Sequence, residues 1–163
     1  MENYFNSNGG SGMSQKDIVG LIFEDPNDVK AILEDPDSFD IHECVLKYGL
    51  STKKMLYLDY KGEQYREIIN FILDYEFKHQ IELATIEELE ELEKTEYEFL
   101  PDKIKETNNI ISTKGYGLFS YPTSGDFYAL FISKLEYKPK LLQVNLLYDD
   151  IIPQNECYIQ YYC

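Results

Sequence analysis

From Ser14 onward the apolar positions recur at helical spacing. Ile18, Leu21 and Ile22 share one face, and Asp25-Pro26 then supplies a cap with proline at the first helical position. A second short helix carries Val29, Ile32 and Leu33 and is expected to stop at Asp35-Pro36, because the residue before a proline is pushed out of the helical region. A third, capped by Asp37 or Ser38, holds Ile41, Val45 and Leu46 and is expected to end at Gly49. The run Met55-Leu56-Tyr57-Leu58-Asp59-Tyr60 fits a partly buried strand. Beyond Gly62 the clearest amphipathic pattern in the chain appears, with Tyr65, Ile68, Ile69, Ile72 and Leu73 at i, i+3, i+4, i+7 and i+8.

Residues 77–83 fit a strand. Thr85, with Glu88 three residues on, makes a capping box for a helix through Leu92, and residues 98–108 suggest another helix interrupted near Pro101. The last third changes period. Segments 116–121, 127–133, 141–147 and 157–161 are β-prone, and Pro122-Thr123-Ser124-Gly125-Asp126 reads as a hairpin loop in which glycine would supply a positive φ. Helices first and strands later is the α+β pattern: short N-terminal helices, and a mainly antiparallel sheet from the C-terminal third packed against amphipathic helices, with the strand near Leu56 joining it. Residues 1–12, rich in Asn, Ser and Gly, read as a flexible lead, leaving 13–163 as one domain.

Composition agrees with a folded core and adds one strong fact. Hydrophobic residues are 44% and aromatics 15% of the chain, enough apolar surface to offset the entropy of ordering it. Thirty Asp plus Glu against 15 Lys plus Arg give a net charge of -15. Such a chain is a poor ligand for nucleic acid or an anionic membrane and attracts basic proteins. Three cysteines, Cys44, Cys157 and Cys163, with no CxxC pair point to a reducing, cytoplasmic setting and away from a thiolate metal site. No stretch is apolar for long enough to span a bilayer, and no signal-peptide pattern stands at the start.

Motifs for chemistry are sparse. His42 and His79 lack ligand spacing, and there is no nucleophile elbow, P-loop or dinucleotide fingerprint, so no cofactor, metal or catalytic residue is expected. Two acidic runs stand out instead. Residues 24–40 hold seven acids and Lys30, a balance of -6; residues 82–106 hold ten acids and three lysines, a balance of -7. Each reads either as a solvated helix face or as a docking surface for a basic protein. Fifteen tyrosines and no tryptophan add a second feature, since tyrosine beside carboxylate suits an interface that faces Arg or Lys.

The run Leu58-Asp59-Tyr60-Lys61-Gly62-Glu63 before the amphipathic helix, together with Gly115-Tyr116-Gly117-Leu118 leading to Gly125-Asp126-Phe127-Tyr128-Ala129-Leu130-Phe131-Ile132, resembles a group of small bacterial proteins with domains of unknown function, some similar to immunity proteins encoded beside polymorphic toxins. Tyr60 stands where such proteins usually carry Trp. The resemblance implies an intracellular, non-enzymatic role and brings no catalytic residues. The expected function is therefore an immunity or inhibitor protein for a basic toxin or nuclease, binding through Asp59, Tyr60, Glu87, Glu88, Glu90, Glu91 and Asp126. Two alternatives stay open: an enzyme or small-ligand binder with a site assembled from Asp59, His79 and Asp126, or a structural subunit with tyrosines at an oligomer contact.

Overall fold

Two stretches, 117–121 and 129–133, are buried at every position, so the strands that carry them must be covered on both faces. The computed structural model describes residues 13–35, 40–61 and 66–163. In it β1 (Leu56–Asp59), β2 (Tyr116–Tyr121), β3 (Phe127–Lys134) and β4 (Gln160–Tyr161) form an antiparallel sheet in the order β1-β3-β2-β4. The two fully buried stretches are its central pair, in a register that sets Phe119 opposite Phe131. Alternation along each strand then sorts the side chains: Leu58, Leu118, Leu130 and Ile132 face one way, and Phe119, Tyr121, Ala129 and Phe131 the other.

The first face is covered by α4 (Arg66–His79), α5 (Ile86–Lys94) and α6 (Leu100–Ile111), through Ile68, Ile72, Leu89, Leu92 and Ile104. The second is covered by the N-terminal helices α1 (Val19–Ile22), α2 (Pro26–Leu33) and α3 (Ile41–Ser51), with Leu141 of α7 (Lys138–Leu141) and the irregular residues Val144, Leu146 and Ile159. The molecule is an α+β fold whose sheet comes mainly from its C-terminal part, with β1 added at one edge. Among the described residues no helix is long and apolar enough to cross a membrane.

Local chemistry explains the boundaries. Asp25 caps α2 by accepting from the Asn27 N–H at 2.9 Å, with Pro26 in the first turn. Thr85 and Glu88 form the expected capping box at α5. Pro101 begins α6 rather than interrupting it, since a first-turn N–H has no intrahelical acceptor to lose. The cap of α3 is Asp40, which accepts from Glu43 N–H at 3.3 Å; Asp37 and Ser38 lie outside the described residues, as do residues 1–12 and Tyr65.

Five expectations are corrected. Residues 77–83 are not a strand. Phe77 to His79 finish α4, Gln80 turns the chain at φ 54, and the Glu76 carboxylate accepts the N–H groups of Leu83 and Ala84 at 2.6 and 3.1 Å, taking donors that a ladder would need. Of segment 141–147, Leu141 ends a helical turn started by Lys138-Pro139, and the rest is irregular: Leu146 and Leu147 both donate to the Cys157 carbonyl. Cys157 closes a 3-10 turn, so only Gln160 and Tyr161 pair as strand. The helix α3 runs through Gly49 to Ser51, and Gly49 serves proximity to Met55 instead of termination. In the hairpin loop Gly125 does not take a positive φ; a Cβ there would meet the Phe127 ring at 3.0 Å, so the residue provides room. Gly115, at φ 83, is the glycine that does turn the chain, from α6 and its 3-10 extension into β2.

Candidate functional site

At the end of the sheet where β1 finishes and β3 starts, the chain builds a cleft of about 220 Å³. The Tyr60 N–H donates to the Asp126 carbonyl at 3.1 Å, extending the β1 and β3 pairing one residue beyond Asp59 opposite Phe127. The hairpin loop is closed by the Thr123 hydroxyl, which donates to the Phe127 carbonyl at 2.9 Å. These bonds fix Tyr60 and Asp126 at one wall. The opposite wall comes from the C-terminal segment, with Glu156, Tyr158, Gln160 and Tyr162.

Five tyrosines line this cleft, Tyr60, Tyr121, Tyr128, Tyr158 and Tyr162, together with the carboxylates of Asp126 and Glu156 and the hydroxyl of Ser120. Among the described residues no Lys, Arg or His lines it. Tyr162 donates its hydroxyl to Gln160 Oε1 at 2.8 Å. Burial, reinforced by Tyr128 and the negative charge of Glu156, pushes that hydroxyl's pKa up to about 12, so it stays a neutral donor. Tyr121 is buried and raised as well, chiefly by desolvation, and its hydroxyl donates to the His42 carbonyl at 3.4 Å.

The second feature is a ridge. On α5 Leu89 and Leu92 point into the core, which leaves Glu87, Glu88, Glu90 and Glu91 exposed. Every acid from Glu82 to Glu98 is exposed, and the ridge is bordered by two apolar side chains open to solvent, Ile86 at 70% and Phe99 at 60% exposure. Glu88 spends one oxygen on the Thr85 N–H at 2.9 Å, and Glu93 pairs with Arg66 at 2.9 Å. Lys103, one of the three lysines in this run, is buried, its Nζ 5.9 Å from the Tyr97 ring, so its charge does not dilute the surface. Burial holds its pKa below the ordinary lysine value, with Glu93 acting the other way.

A different cavity of about 240 Å³ opens at the other end of the strands, where β1 begins and β3 ends. His79 lines it, stacked on Tyr75 with centroids 3.8 Å apart and Nδ1 3.0 Å from the Tyr75 carbonyl. The trio Asp59, His79 and Asp126 is thus not assembled. Asp126 belongs to the tyrosine cleft and Asp59 to the adjoining strand end, whereas His79 sits among Phe71, Asp74, Lys53 and Lys78. His42 is a core residue stacked on Tyr121 at 5.4 Å. None of Glu87, Glu88, Glu90 and Glu91 lines either cavity.

Sequence reasoning placed Tyr60 and Asp126 in the candidate site but missed Glu156, Tyr162 and Ser120. The alternation of tyrosine at 158 and 162 around Gln160 was a signal, but nothing in the sequence says that a two-residue strand brings them to β2. Comparison with known proteins found no matching family model, no matching curated protein and no matching solved structure.

Proposed function

We propose that this protein is a non-enzymatic, cytoplasmic interaction protein of the immunity or inhibitor kind, which binds a basic effector, a toxin or nuclease, and covers its cationic active surface. The observation that carries this reading is the α5 ridge, where consecutive exposed carboxylates are flanked by exposed Ile86 and Phe99. Carboxylates on a chain of net charge -15 raise the encounter rate with a cationic partner and fix its orientation. The two apolar side chains supply area to bury once contact is made.

The test is capture from a lysate of the source cell at low salt, where such attraction is strongest, with the wild type and an E87K/E90K/E91K variant as baits. The expected result is a basic protein retained by the wild type, released by added salt and not retained by the variant. Retention of no basic protein, or equal retention by the charge-reversed bait, would overturn the reading. A second reading, a small-ligand binder, is favoured by the 240 Å³ cavity, where Phe23, Phe71 and Tyr75 meet Asp74, Lys53 and Lys78. A rise in melting temperature with a small metabolite, abolished by a Tyr75→Ala substitution, would support it.

A further inference from the structure

The tyrosine cleft is chemically one-sided. Its charged lining is the carboxylates of Asp126 and Glu156, and its aromatic lining is five tyrosines and Phe127. Both acids are exposed, and neither is in an ion pair among the described residues. A third observation comes from the floor. Ser120 is only 7% exposed and lines the cleft, yet its hydroxyl has no hydrogen-bond partner among the described residues, whereas the neighbouring Thr123 hydroxyl is committed to the hairpin. The Ser120 hydroxyl therefore opens on the cleft with its bonding capacity available to a ligand.

We infer that this cleft binds a guanidinium group, presented as an arginine side chain by the basic partner. An anion is repelled by both acids. A guanidinium is planar, weakly hydrated and permanently charged, so it stacks on a tyrosine face while its fork of N–H donors reaches carboxylate and hydroxyl oxygens. The two carboxylates and the Ser120 hydroxyl can accept such donors. A lysine ammonium, compact and strongly hydrated, gains less from flat aromatic walls. The inference rests on the proposal of a basic partner for the source of the arginine; the chemistry of the cleft stands apart from the α5 ridge.

The two are separated by using a probe in place of the partner. N-acetyl-arginine amide is titrated into the ¹⁵N-labelled full chain, with N-acetyl-citrulline amide, the neutral isostere, as control. The expected result is saturable shifts at the amides of Ser120, Asp126 and Tyr128 with the arginine compound and none with citrulline. Asp126→Asn and Glu156→Gln should each weaken the arginine titration about threefold or more. Both positions are exposed, so the folded spectrum is retained. No saturable shift, or equal shifts from citrulline, overturns the inference. The E87K/E90K/E91K variant is expected to bind the amide like the wild type while losing the partner, so partner capture that persists without amide binding overturns the cleft alone.

Discussion

The carboxamide of Asn108 holds both backbone groups of Leu118, its Oδ1 accepting the N–H at 2.7 Å and its Nδ2 donating to the carbonyl at 3.2 Å. Strand β4 pairs only with Phe119 and Ser120, so at Leu118 the outer edge of β2 is met by a helix side chain in place of a strand. The same Nδ2 donates to the Tyr162 carbonyl at 2.8 Å, which ties α6 to the C-terminal wall of the tyrosine cleft.

Removing that side chain strands buried groups. Asn108 is 1% exposed, and Asn108→Ala leaves the Leu118 N–H with no acceptor in the core. The expected loss is about 2 to 4 kcal/mol, with faster hydrogen exchange at the Leu118 amide. A urea midpoint within error of the wild type would show that the sheet finds another partner there.

Gly49 and Met55 make a second tight pair. A Cβ on Gly49 would lie 2.6 Å from Met55 Cγ and 2.7 Å from Sδ, and Met55 is 2% exposed in the core. Glycine inside a helix ordinarily costs up to about 1 kcal/mol against alanine, so Gly49→Ala would stabilise α3 if space allowed. Overpacking costs about 1 to 3 kcal/mol, which is larger, and the substitution should lower stability. In a double-mutant cycle with Met55→Ala the loss in the double mutant should be smaller than the sum of the two single losses, because the smaller side chain makes room. Strict additivity would mean that the clash is not with Met55.

The fold was legible wherever period and capping agreed. Ile68, Ile69 and Ile72 mark α4, and Thr85 with Glu88 mark α5, because these signals depend on residues within one turn of each other. It was not legible where tertiary contacts override local preference. Val144 and Leu146 keep a strand's alternation but bury against the N-terminal helices without a ladder partner, and Leu141 before them ends a helical turn. The two acids of the cleft, Asp126 and Glu156, are thirty residues apart in the chain and meet through β4, which is too short to leave a pattern. The exposed glutamates of α5, in contrast, needed only helical periodicity and the two leucines that fix its inner face.

Asp28 anchors the N-terminal helices to the turn before β1. It accepts from the Tyr48 hydroxyl at 2.5 Å and forms an ion pair with Lys54. Burial pushes its carboxyl upward, but the bonds from Lys54 and Tyr48 outweigh this and hold it below the ordinary value of 3.8; the same contact pushes the Tyr48 hydroxyl to about 12. Asp28→Asn should therefore cost about 1 to 3 kcal/mol near neutrality. A carboxyl whose pKa is depressed on folding contributes stability above its unfolded value and loses it as pH falls through the folded one. The gap between wild type and variant should be full at pH 7 and close below about pH 4. Urea midpoints measured across that range check both, and a gap that is independent of pH would contradict the ion pair.

His42 acts on the same, acid side of the stability profile, but begins to do so at a higher pH. It is 3% exposed, its ring lies nearly parallel to that of Tyr121, and its Nδ1 has no hydrogen-bond partner among the described residues. Burial lowers its pKa from 6.5, while Glu43 and Asp40 pull part of the way back. Below 6.5 the unfolded chain takes up a proton at this imidazole that the folded chain resists, so stability is fully present above that value and is lost as pH falls toward the folded pKa. His42→Phe keeps a ring against Tyr121 and removes the titration. Between about pH 7 and pH 5 its unfolding free energy should fall less steeply than that of the wild type. Carboxylates contribute equally to both proteins in that interval, so the difference in slope isolates the imidazole. Equal slopes would mean that His42 is protonated in the fold and that the stack with Tyr121 tolerates the charge.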